Sequence, residues 1–228
     1  MDRISVAIDG PGGAGKSTIA KKMAARFGFI YVDTGAIYRT VGLKARRAGV
    51  DAHSADAVVP LLDTIKIEMK YDDTGTQRMY LDGEDVSGEI RLPEISMYAS
   101  AVSAIPQVRA FLLEMQRAMA REHSVIMDGR DIGTVVLPDA DIKIFLTASP
   151  EERAKRRYDE LAAKGVACTL EEVMSDMLRR DKNDSERAAA PLRQAEDAVL
   201  VDTTALSLEQ SEEKIAGIIE KRLAGGAK

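Results

Sequence analysis

The sequence is short of cysteine, of basic excess and of long apolar runs, and each shortage excludes something. Its single cysteine, Cys168, can form no internal disulfide, which suits a reducing compartment. Cys168 follows Gly165, Val166 and Ala167 in what reads as a loop, with no base nearby, so it is expected to be chemically idle. Lys and Arg number 32 against 37 Asp and Glu, a net charge of −5. Such a chain lacks the broad basic face that binds a phosphate polymer, so no nucleic-acid partner is expected, while a small anion in a local basic pocket stays open to it. No apolar stretch approaches the roughly 20 residues of a membrane helix. Asp2 and Arg3 run straight into a strand-like segment and a glycine loop rather than an apolar leader. A cytoplasmic monomer without membrane association is the expectation. Internal repeats and low-complexity tracts are missing too.

What is present fits one α/β domain with a sizeable core in 228 residues. Ile4 to Ile8 is a short apolar run ending at Asp9-Gly10 and reads as a buried parallel strand. A helix should follow from about Lys16, with Ile19, Ala20, Met23, Ala24 and Phe27 as its stripe and Gly28 as its stop. A strand near Phe29 to Val32 and a helix from Thr34 come next. The pattern then changes. Ile65, Ile67, Met69 and Tyr71 alternate with polar residues, as do Met79 and Leu81, and Asp-Gly turns follow, which predicts a small antiparallel ribbon. The ribbon interrupts a βα chain, so residues 64–95 read as an insert between core segments 1–63 and 96–228. The βα rhythm resumes with a helix from Pro106 (Val108, Phe111, Leu112, Met115, Met119). Strands are expected at Ser124 to Met127, Ile142 to Leu146 and Ala198 to Val201. Capping boxes at Ser149, Thr169 and Ser207 start three further helices, the second with a stripe of Leu170, Val173, Met174, Met177 and Leu178. Five strands alternating with helices imply a parallel sheet covered on both faces.

Gly10-Pro11-Gly12-Gly13-Ala14-Gly15-Lys16-Ser17 fits the phosphate-loop pattern G-x-x-x-x-G-K-S/T, placed between a strand and a helix. Glycines let several N–H groups converge on one phosphate, and the helix adds its positive dipole end. Lys16 supplies a full charge and the Ser17 hydroxyl can ligate Mg²⁺. Asp128 ends an apolar strand, where it either holds the metal, directly or through water, or merely makes a turn with Gly129. Arg153, Arg156 and Arg157 share a helical face, and Arg180, Asp184 and Arg187 share another if that helix continues. These faces are either solvated ion-pair surfaces or a lid, about 151–190, whose guanidinium groups meet a transferring phosphoryl group. His53 and His123 have no metal-ligand partner at a useful spacing and read as structural. The methionines read as core filler.

Taken together, Asp9 to Thr18 (DGPGGAGKST), Asp33 to Arg39 (DTGAIYR), Gly83 to Arg91 (GEDVSGEIR), Asp128 to Thr134 (DGRDIGT), Lys143 to Leu146 (KIFL) and Arg187 to Leu192 (RAAAPL) resemble the bacterial cytidylate kinases over nearly the whole chain. The resemblance implies a nucleoside monophosphate (NMP) kinase version of the P-loop NTPase α/β fold: a five-stranded parallel sheet, an antiparallel β-ribbon insert for NMP binding, and an α-helical lid. It implies ATP and CMP or dCMP as substrates, with Mg²⁺. Gly10 to Thr18 would bind ATP. Thr34, Tyr38, Arg39, Ser100, Arg109, Arg130, Asp131, Arg180, Asp184 and Arg187 would bind CMP, and Ser17 and Asp128 the metal. Lys16, Arg130, Arg153, Arg157, Arg180 and Arg187 would carry the catalytic charge. Cytosine needs an acceptor facing its N4 amino group and donors facing N3 and O2, a set that Asp131, Arg109 and Ser100 supply. Two other classes compete. A hydrolytic switch or ATPase is disfavoured because N-K-x-D is absent and Gly129, not glutamate, follows Asp128. A phosphate-loop kinase of another small acceptor is the other: a sugar or shikimate would leave Arg130-Asp131 without a purpose, while UMP stays open as the acceptor.

Overall fold

A computed structural model describes residues 3–163 and 165–225; Asp2, at the start of the chain, and Lys164, within the expected lid, lie outside the described residues. The first half runs β1 (Ser5–Asp9), α1 (Lys16–Phe27), β2 (Ile30–Asp33), α2 (Thr34–Arg47) and α3 (Ala55–Leu62). A ribbon of β3 (Ile67–Tyr71), β4 (Gln77–Leu81) and β5 (Glu84–Asp85) leads through a 3-10 turn at Glu89–Arg91 into α4 (Pro93–Ser103) and α5 (Pro106–Glu122). The second half has β6 (Val125–Gly129), a π-type turn at Ile132–Val136, β7 (Ile142–Thr147), α6 (Pro150–Ala163), α7 (Leu170–Glu186), β8 (Val199–Asp202) and α8 (Leu208–Ala224).

The sheet order is β2-β6-β1-β7-β8, with every pairing parallel. Alternate residues explain the layers. Val6, Ile8, Ile126, Ile144 and Val201 meet α1 and α8 on one face. Ala7, Val32, Val125 and Met127 meet α5 and the π-type turn on the other. The central strands are apolar on both faces, as a sheet covered twice requires. The chain leaves β1 toward β2 on one side and later crosses to β7 on the other. The crevice beyond the carboxyl end of β1 is therefore the switch point where such sheets hold ligands.

The ribbon is a three-stranded antiparallel sheet, β3-β4-β5. Asp82 (φ 52°) and Gly83 (φ 90°) form the two-residue turn between β4 and β5, both with the positive φ that a tight hairpin of this hand demands. Its core is continuous with α2 to α5: Met79, Leu81, Val86 and Ile90 pack with Val41, Ile95 and Val102. Gly42 allows that contact, since a Cβ there would lie 2.9 Å from the Ala99 amide nitrogen. The ribbon also closes the edge of the main sheet. The Asp33 N–H donates to Gln77 Oε1 at 2.8 Å, Gln77 Nε2 donates to the Asp33 carbonyl at 3.3 Å, and the Tyr71 hydroxyl donates to the Tyr31 carbonyl at 2.9 Å.

Three helix readings need correction. Phe111, Leu170 and Leu178 are exposed, so the buried stripes of α5 and α7 are narrower than the periodicity predicts. On α7 only Val173, Met174 and Met177 join the apolar cluster with α6, while the contact of α7 with α4 is polar, through Asp184 and Ser100. The helix does not continue to Arg187, which is its C-cap at φ −62°, ψ 138°. The Ser149 box is half made. Ser149 Oγ accepts the Glu152 N–H at 3.2 Å, but the Glu152 carboxylate turns to Arg156. No helix among the described residues is long and apolar enough to cross a membrane.

Candidate active site

The glycine loop leaves β1 so tightly that a Cβ on Gly10 (φ 147°) would stand 1.9 Å from the Leu146 carbonyl oxygen. Only glycine fits there. Gly15 caps α1 without a side-chain hydrogen bond, which leaves the first-turn N–H groups for a ligand. Lys16 is buried, and its Nζ donates to the Pro11 carbonyl at 2.7 Å. Burial, reinforced by the nearby Arg130 guanidinium, pushes the Lys16 ammonium well below its ordinary pKa. An anion beside it reverses that pressure.

Asp128 sits at the end of β6 with both carboxylate oxygens engaged. Ser17 Oγ donates to Oδ2 at 2.6 Å and the Tyr31 hydroxyl to Oδ1 at 3.0 Å. Thr34 Oγ1 donates to its carbonyl at 2.7 Å. Burial, then the Asp33 charge, push the Asp128 carboxyl up. Among the described residues no three His, Cys, Asp or Glu side chains form a metal cage. A Mg²⁺ ion needs none, because it keeps water and substrate phosphate oxygens and takes one or two hard oxygens from protein. The Ser17 hydroxyl and the Asp128 carboxylate, in contact with each other, fit that demand.

Loop and strand ends open into one cleft of about 950 Å³. Thr34, Tyr38, Arg39, Ser100, Arg109, Arg130, Asp131, Arg180, Asp184 and Arg187 all line it, so the structure brings the whole acceptor set together. Asp131 binds two guanidinium groups: Arg109 Nη2 on Oδ2, and Arg187 Nη2 on Oδ1 at 3.3 Å. The Arg109 guanidinium also lies over the Tyr38 ring, 5.5 Å from its centroid. Burial raises the Asp131 carboxyl against those partners. Asp184 accepts from Arg130 Nε at 2.9 Å and from Ser100 Oγ at 3.3 Å, which docks α7 against α4. Burial opposes its charge, but Arg130 and Arg180 hold its carboxyl below the usual range. Arg180 is pushed down to about 10 by burial and then by Arg130, and its Nε is buried without a hydrogen-bond partner.

The α6 arginines part company. Arg157 lines the cleft, paired with Glu160 at 2.8 Å. Arg153 does not line it. Its Nη1 donates to the Gly12 carbonyl at 2.9 Å and pairs with Asp181 at 2.6 Å, and its Nε donates to the Ala148 carbonyl at 3.0 Å. It buttresses the glycine loop from behind. Gly10 and Pro11 do not line the cleft either, whereas Gly12 to Thr18 do. Three groups escaped the sequence reading. Asp33 and Arg91, both in the cleft wall, pair at 2.7 Å. Asp9 anchors the Arg130-Asp131 loop by accepting the Ile132 and Gly133 N–H groups at 2.8 and 2.7 Å. A strand-ending Asp before a helix start signalled Asp33; nothing in spacing signalled Arg91.

The family model described as cytidylate kinase matches residues 6–221. Curated cytidylate kinases are similar along the whole chain. That of Caldicellulosiruptor bescii is 50% identical over 221 residues, covering 97% of each chain. That of Geobacter sulfurreducens is 51% identical over 217 residues, covering 95% of this chain and 93% of its own. That of Streptococcus pneumoniae is 46% identical over 223 residues, covering 98% and 100%. A solved protein from Eubacterium ventriosum shares the fold at 16% identity and a TM-score of 0.51, covering 99% of this chain and all of its own.

Proposed function

The chain belongs to the cytidylate kinase family, and from that premise we propose that its cleft moves the γ-phosphoryl group of ATP onto the phosphate of CMP or dCMP. The products are ADP and CDP or dCDP. The observation that carries the reading is one continuous cleft with an anion-binding group at each end: the glycine loop with Lys16, and the arginines gathered around Asp131 and Asp184.

The chemistry asks little of the protein beyond placement and charge. An acceptor phosphate oxygen forms a bond to the γ-phosphorus while the bond from that phosphorus to the β–γ bridging oxygen breaks. With a second pKa near 6, the acceptor phosphate is mostly dianionic at neutral pH, so no base has to remove a proton. Gly12 to Ser17 hold the donor phosphates through backbone N–H groups, and Lys16 adds charge where the leaving oxygen gains it. Arg39, Arg130 and Arg180 hold the acceptor phosphate. Arg157 and Arg187 reach the cleft from the lid side and hold the sugar-phosphate region in line. Ser17 and Asp128, the latter directly or through water, would hold Mg²⁺, which would supply charge neutralisation for the donor phosphates. The α6–α7 unit over the cleft keeps water from competing as acceptor. With it goes the expectation of a cytoplasmic enzyme that works as a monomer, because both ends of the cleft lie on one chain and no second copy is needed to complete it.

The test is an acceptor panel with ATP and Mg²⁺. CMP and dCMP should release ADP rapidly, UMP more slowly, and AMP and shikimate barely. ADP release that is the same with and without CMP would make the protein a hydrolase.

A further inference from the structure

Asp33 ends β2 and stands at the meeting point of three parts of the molecule. Its Oδ1 caps α2 by accepting the Ala36 N–H at 2.8 Å. Its backbone N–H and carbonyl are both bonded to Gln77 of the ribbon. Its Oδ2 takes Arg91 Nη2 at 2.7 Å, and Arg39 Nη2 lies 3.4 and 3.3 Å from the two oxygens. Asp33 is only 3% exposed, so this shared carboxylate is shielded from water.

The two arginines are unequal partners. Arg91 makes the short contact, and it comes from the turn that ends the ribbon. Arg39 makes the long ones, and its Nε is buried without a hydrogen-bond partner. A carboxylate between two guanidinium groups leaves one net positive charge and spare donors. All three side chains line the cleft. A capping role alone would not need the pairing, and although Arg91 is exposed, the carboxylate it meets is buried, unlike that of a surface ion pair.

We propose that Asp33 is a positioning residue for the acceptor phosphate: it aims Arg39 into the cleft and, through Arg91, locks the ribbon to the strand that carries Arg39's helix. This rests on the kinase reading above. Arg91 acts through Asp33, so the ribbon's placement and the acceptor-phosphate contact become one unit, while the donor loop stays outside it.

Asparagine separates positioning from capping, because it caps a helix as well as aspartate does but cannot pair with two guanidinium groups. The experiment compares wild type, Asp33→Asn, Arg91→Gln and the double variant. KM for CMP is measured at saturating ATP, KM for ATP at saturating CMP, and CMP binding alone by calorimetry. Asp33→Asn should raise KM and Kd for CMP about tenfold, the effect of one lost charge-assisted contact, with KM for ATP within about twofold. Arg91→Gln should raise the same constants by less, and the double variant should be no worse than Asp33→Asn. Unchanged CMP constants in Asp33→Asn, a joint rise of both KM values, or multiplying effects in the double variant would each overturn the proposal. Should Asp33→Asn not fold, Arg91→Gln decides: a selective rise for CMP supports the proposal and none overturns it. A wild type inactive on CMP overturns the kinase reading and this proposal with it.

Discussion

Asp131 spends both carboxylate oxygens on guanidinium groups, Arg109 and Arg187, yet a carboxylate has about four lone-pair sites. It can therefore accept from the cytosine N4 amino group without releasing either arginine. Uracil presents an oxygen there, facing the carboxylate. Asp131→Ala should erode the preference for CMP over UMP by about 1–3 kcal/mol, mainly through weaker use of CMP. Comparing kcat/KM for both acceptors in both proteins checks it, and an unchanged ratio would leave Asp131 only its arginines to hold. Asp9 behaves differently. Burial pushes its carboxyl from 3.8 up to about 6, against the Ile132 and Gly133 N–H groups, with Asp131 adding to the rise and Lys16 opposing it. Between those two values the unfolded chain has lost the proton and the folded protein keeps it. Stability should thus fall as pH rises from about 4 to 6, by about 3 kcal/mol at most. Asp9→Asn should lack that component. Urea unfolding of both proteins at pH 4.5, 5.5 and 6.5 measures the difference in slope.

At the scale of elements, α6 divides its arginines between two tasks. Arg153→Ala should cost about 1–3 kcal/mol, because the half-buried Asp181 loses its partner and the Gly12 carbonyl its donor. KM for ATP should rise with it. Arg157→Ala should change stability by about 0.5 kcal/mol or less and act instead on turnover and substrate use. Thermal unfolding and steady-state kinetics on both variants would show the split, and equal losses of stability would refute it. Adjacent positions on one helical face looked alike in the sequence, since spacing says nothing of what lies opposite. The same limit explains Arg187, which reaches Asp131 from a cap residue beyond α7 rather than from its face. What was local was legible: the glycine loop, the turns after β3 and β4, and the boxes at Thr169 and Ser207, where both reciprocal bonds form. In the sequence the Ser149 box looks whole, because Arg156, the competitor for Glu152, sits one helical turn away. Ser100 sits beside the apolar stripe of α4 (Ile95, Ala99 and Val102), where nothing in spacing marks it, so only the family resemblance points to it.

Across the whole molecule, the β2 edge of the parallel sheet is the one the ribbon covers. Ile30 N–H donates to the Ser124 carbonyl, so the alternation of β2 turns the Tyr31 and Asp33 backbone groups outward, where Tyr71 and Gln77 of the ribbon meet them. Those side chains occupy the bonding positions a foreign strand would need, so they guard the chain against self-association. Replacing residues 64–92 with a short linker would remove acceptor-side contacts and also bare a parallel edge rich in apolar residues. Light scattering of such a variant should show oligomers or aggregates where the intact protein gives a single small species. An insert that reads as an accessory for catalysis thus doubles as the device that keeps a concentrated solution of this enzyme clear.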